Sequence, residues 1–91
     1  MRVKILSKCW TFMRVKGLKK KEGAYGQIDH PDKKGKVLKV DDSLRNRLEL
    51  EIIIHEFLHG ADWSKDEEWI EEASFDLSSF LWRLGYRKCE S

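Results

Sequence analysis

The chain has one proline, two cysteines and six glycines in 91 residues. Pro31 stands in the first half, so it breaks neither of the helical patterns described below. Cys9 and Cys89 lie near opposite ends and form no C-x-x-C. The pairing signals of zinc ribbons and thioredoxin-type sites are therefore missing, and both are expected to be free thiols. No apolar run approaches the roughly 18 residues of a membrane-crossing helix. The first residues, Met1 to Lys8, are interrupted by Arg2, Lys4 and Lys8 and lack the apolar core of a signal peptide. A cytoplasmic protein without membrane contact is the expectation. There is no repeat, low-complexity tract or linker, so residues 1–91 read as one domain.

An excess of one charge is also lacking. Eighteen basic and sixteen acidic side chains leave a net charge of +2, too little to argue for nucleic acid. The distribution is uneven. Lys16, Lys19, Lys20 and Lys21 form one basic run, and Lys33, Lys34 and Lys36 another. Solvated loops are the favoured reading, with a surface for nucleic acid or an acidic partner as the alternative. A chain this short buries only about 60% of the surface that it exposes unfolded. Such a domain commonly needs a staple, and with free thiols that leaves a metal or a partner.

The present residues divide the chain into two halves. Alternation at Val3–Leu6, Trp10–Val15, Tyr25–Ile28 and Val37–Val40 predicts short strands over about 1–40. Gly17, Gly23, Gly26, Gly35 and the stretch 29–32 supply turns. The expected fold class is α+β, with an antiparallel sheet of three to four strands built from hairpins. The first helix is predicted over about 44–60, capped by Asp41, Asp42 or Ser43 and ended by Gly60. It is apolar on two sides, which places the sheet on one and a second helix on the other. The second helix is predicted over about 65–84, opened by a Ser64/Glu67 capping box and ended by Gly85. Most of the four tryptophans, Trp10, Trp63, Trp69 and Trp82, are expected in the core, with Trp63 able to line a cleft mouth.

His55-Glu56-Phe57-Leu58-His59 is H-E-x-x-H. On a helix, positions i and i+4 share a face, so two imidazoles can hold one zinc ion. Glu56, one residue from His55, can take a proton from a zinc-bound water and deliver it to a leaving amine. The plainer reading is a pair of hydrogen-bonded core histidines. A catalytic zinc needs a third protein ligand. An extension with glycine three residues after the second histidine and a third histidine at six is excluded, because Asp62 and Lys65 occupy those positions. Carboxylates of the second helix remain. Trp69, Ile70, Ala73, Leu77, Phe80, Leu81 and Leu84 define an apolar arc expected to face inward. Glu72 sits at its edge and is the expected ligand, with Glu68 as substitute and Asp62 as a weaker candidate. Glu67 and Glu71 fall on the far side, towards water. Asp76, one turn beyond Glu72, could accept the ring N–H of a bound histidine. A salt bridge with Arg83 or Lys65 is its other reading.

With these residues the chain resembles the small zincins of the gluzincin type. There, H-E-x-x-H on one helix is completed by a glutamate in E-x-x-x-D on a later helix. The matching residues are His55, Glu56 and His59, then Glu72 and Asp76. It is similar also to compact H-E-x-x-H proteins of phage and bacterial genomes, across about residues 37–87. The resemblance implies a zinc metallopeptidase with a sheet, an active-site helix and a second helix. Its substrate would be a peptide or protein. An edge strand would pair with it, either Val37–Val40 or Tyr25–Ile28. Twelve residues separate His59 from Glu72, fewer than in the large gluzincins, and their C-terminal subdomain has no counterpart in the chain. Tyr25, His30 and Tyr86 are the groups available as an oxyanion donor, and the sequence does not choose among them. The alternative is a catalytically inactive module in which zinc is a structural staple and the lysine loops bind a protein or nucleic acid.

Overall fold

In the computed structural model, which describes residues 1–89, seven elements follow one another. They are β1 (Arg2–Ile5), β2 (Lys8–Val15), α1 (Leu18–Glu22), β3 (Gly26–Ile28), β4 (Val37–Asp41), α2 (Asn46–Ala61) and α3 (Glu67–Arg83). The fold is α+β: a four-stranded sheet in the order β1-β2-β4-β3 with two main helices. Alternation sends Ile5, Trp10, Leu38 and Val40 to one face, where they form the core with Leu44. Ile28, Ile52 and Ile53 pack against that core, so α2 covers the sheet. Helix α3 then packs on the other side of α2. The two apolar sides of α2 are not divided as the pattern predicts: Ile52 and Ile53, expected on opposite sides, both pack against the sheet core, and Leu48 and Phe57 are exposed.

The sheet is mixed, which corrects the antiparallel expectation. β1–β2 and β3–β4 are antiparallel, but β2 and β4 run parallel, with Phe12 beside Leu38. Side-chain alternation is blind to strand direction. A parallel neighbour needs a crossover of a dozen or more residues, and residues 16–36 provide it. Part of that segment is helical rather than loop. The basic run becomes α1, set between Gly17 and Gly23, both with positive φ. Leu18 anchors α1 in the interior while its lysines face solvent.

Three expected helix signals act differently. Asp41 does not cap α2. It ends β4, where its carboxylate accepts from Lys19 N–H at 2.7 Å and Ser43 N–H at 2.9 Å. These bonds hold its pKa below the ordinary value. Gly60 does not stop α2, which continues to Ala61. A Cβ there would come within 2.8 Å of Ile28 Cδ1 and 3.0 Å of Ile5 Cδ1, so the glycine serves close helix–sheet packing. Ser64 does not form a capping box. Its N–H and hydroxyl both donate to Asp62 Oδ1, and Asp66 precedes α3 instead.

Helix α3 is rotated relative to the expected arc. Ile70, Ser74 and Ser78 are buried against the rest of the molecule, whereas Trp69, Leu77, Phe80 and Leu84 are exposed. The serines are small and satisfied locally. Ser74 Oγ donates to the Ile70 carbonyl, and Ser78 Oγ to the Phe75 carbonyl at 3.0 Å. Ser78 Oγ also accepts from Arg47 of α2 at 2.9 Å. This polar, small-residue contact sets the orientation of α3. The tryptophan expectation fails with it: Trp10 is buried, but Trp63 and Trp69 are exposed.

Candidate metal centre

Helix α2 places His55 and His59 one turn apart at its flank beside β3 and α3. Their Nε2 atoms lie 3.1 Å apart. The carboxylate that reaches them is Glu67, the first residue of α3. Glu67 Oε1 is 3.0 Å from His55 Nε2, and Oε2 is 2.7 Å from His59 Nε2. The His55, His59 and Glu67 ligand atoms all fall within 4.8 Å of one another and could hold a metal ion. Two imidazole nitrogens and a carboxylate are one of the donor sets that can hold zinc. Donors at about 2.0–2.1 Å from a tetrahedral ion are roughly 3.3 Å apart, so opening by a few tenths of an ångström would admit one. The residues fit the group.

The carboxylate beside the histidines is Glu67 and not one of those expected from the sequence. Glu72 and Glu68 are exposed on α3 and lie outside the cluster, as does Asp62 in the turn. Asp76 is exposed too and forms no part of it. Residues 67 and 72 differ by about 140° around a helix. Turning Ser74 and Ser78 onto α2 therefore brings Glu67 to the histidines and takes Glu72 away. The unformed capping box matters as well, because the Glu67 side chain is not drawn back to its own helix terminus. The buried stripe Ile70–Ser74–Ser78 is the signal that could have identified Glu67, which lies on the same side of α3.

Glu56 is on the sheet-facing side of α2 and only 8% exposed. Strand β3 passes close to it at Gly26. A Cβ on Gly26 would meet Glu56 Cγ and Oε2 at 2.9 Å and Ile52 Cγ2 at 2.8 Å. Only glycine lets the strand approach this side chain so closely. Burial, and secondly the charge of Glu67, push the Glu56 pKa up from 4.5 to about 7.

These groups share one cleft of about 340 Å³, lined by Ala24, Tyr25, Gly26, Ile52, His55, Glu56, His59 and Glu67. Of the three oxyanion candidates, Tyr25 lines it. His30 instead stacks edge-on against Trp63, with centroids 4.9 Å apart. Tyr86 lines a larger cavity of about 490 Å³ with Arg14, Glu49 and Trp82, and the donor cluster is not part of that cavity. β3 is a sheet edge, but β4 is interior, paired with β2 and β3. Val37–Val40 is therefore excluded as the strand that could receive an extended peptide.

Comparison of the chain with protein-family models, curated proteins and solved structures gives no match. The likeness to zincins rests on the residues and their geometry alone.

Proposed function

We propose that the chain is a zinc-dependent hydrolase of peptide bonds, with His55, His59 and Glu67 as metal ligands and Glu56 as general base. The supporting observation is the convergence of both motif imidazoles on one carboxylate, within the cleft that Glu56 lines. Zinc in that position would supply a Lewis acid and lower the pKa of water towards neutrality. Glu56 accepts the proton of the attacking water and returns it to the leaving amine. The Tyr25 hydroxyl is the side-chain donor for the developing oxyanion. The open edge of β3 receives an extended peptide by main-chain hydrogen bonds. Two free cysteines accord with a cytoplasmic setting.

A second reading is favoured by the small interior, in which seven hydrophobic residues are buried. In it, zinc is a structural staple of a binding module. Metal content and peptide hydrolysis separate the readings. The parent protein should carry about one zinc per chain. Glu67→Ala should weaken zinc affinity by more than about 100-fold, beyond the loss typical of a residue that merely supports a ligand. Glu72→Ala should leave it unchanged. Glu56→Gln should keep zinc and abolish cleavage of a fluorogenic peptide library. A parent that binds zinc but cleaves no peptide supports the module, and one that binds no zinc removes both readings.

A further inference from the structure

The flank of α3 beside its buried Ile70–Ser74–Ser78 stripe is apolar. Trp69, Leu77, Phe80 and Leu84 are 48%, 42%, 55% and 59% exposed, and the half-buried Ala73 lies among them. Positions 69, 73, 77, 80 and 84 advance in steps of three and four residues. That spacing presents a continuous seam to another helix. Four large apolar side chains along one helix face form the kind of patch that marks an interaction site.

Charge selects the occupant. The first part of α3 carries Glu68, Glu72 and Asp76, while Arg83 closes the helix and Arg87 follows it. A second α3 laid antiparallel would set Trp69 opposite Leu84 and Ala73 opposite Phe80, with Leu77 near the two-fold axis. The small Ala73 leaves room for the large Phe80. Glu72 then faces Arg83 of the other copy, on the same flank of the seam. A parallel arrangement would oppose like charges instead. One surface is complementary to itself, as a two-fold dimer requires.

We propose that α3 is a homodimer interface, with two copies packed antiparallel through Trp69, Ala73, Leu77, Phe80 and Leu84. Glu67 lies about 120° around the helix from Ala73, so pairing leaves the histidine cluster open. The proposal is independent of metal binding and catalysis.

Sedimentation velocity on the full chain from about 1 to 300 µM tests it. The mass should rise from that of the 10.8 kDa chain towards twice that value. Phe80→Glu should weaken association at least about 100-fold, as loss of an interface anchor does. Circular dichroism should show its helices retained. Arg83→Glu should weaken association about tenfold, and Glu72→Arg with Arg83→Glu should restore it to within about threefold. The charge exchange remains decisive if Phe80→Glu does not fold. A monomer at every concentration overturns the proposal and gives the seam to a different partner. A dimer indifferent to Phe80→Glu, or a double variant no better than Arg83→Glu, overturns it as well.

Discussion

Glu56 joins two demands that conflict in the metal-free protein. Its carboxylate is buried beside Gly26 and shares the cleft with Glu67, so its pKa rises from 4.5 to about 7. The folded state then holds this proton more tightly than the unfolded chain does. Stability is full below about pH 4.5, falls as pH rises towards 7, and levels off above it. The whole effect is at most about 3 kcal/mol. Urea denaturation in chelator should show this decline for the parent. Glu56→Gln should flatten that part of the profile and make the metal-free protein more stable at pH 8. An unchanged slope would mean that the carboxylate is better solvated than its burial indicates. Gly26 defines the other side of the same contact. Gly26→Ala forces a Cβ into Ile52 and Glu56 and should cost about 1–3 kcal/mol, like other overpacked contacts. Its chemical denaturation midpoint should fall accordingly. Peptide hydrolysis should fall with it, because Glu56 must move.

Among the elements, the β1–β2 hairpin stores a removable strain. Ile5 pairs with Lys8 across a two-residue loop, in which Leu6 and Ser7 have φ of 48° and 74°. Positive φ at both positions suits asparagine and glycine, and Leu6 is largely exposed. Leu6→Asn with Ser7→Gly should stabilise the protein by about 1–2 kcal/mol. A thermal melt that does not rise would show that Leu6 contributes packing not apparent from its exposure. Helix α3 carries a different lesson. Apolar counting along its sequence favours Trp69, Leu77 and Phe80 as the inner face, but the buried side chains include Ser74 and Ser78. Hydropathy measures the cost of leaving a side chain in water. It does not register the close approach that small, internally bonded residues allow between helices. Glu67, and not the expected Glu72, lies beside the histidines for that reason.

For the whole molecule, metal and fold are linked if zinc binds only the native cluster. At zinc concentrations about 100-fold above Kd, the stabilisation should be about 2.7 kcal/mol. Titration followed by thermal melting should therefore raise Tm for the parent and Glu72→Ala, but not for Glu67→Ala. A Tm insensitive to zinc would leave the His55–His59–Glu67 cluster as a hydrogen-bonded contact between α2 and α3. Loss of the rise in Glu72→Ala alone would restore the carboxylate favoured by the sequence.

The sequence by itself determined the α+β class, the four strand segments and both long helices, because these depend on periodicities of two and 3.6 residues. It also put His55, Glu56 and His59 on one helix, since a turn of helix is local. The parallel pairing of β2 with β4, the sheet edge at β3 and the inner face of α3 were decided only in three dimensions. Each depends on contacts between residues distant in the chain. The carboxylate facing the histidines belongs with these: Glu67 reaches them because Ser74, Ser78 and Arg47 fix how one helix lies on another.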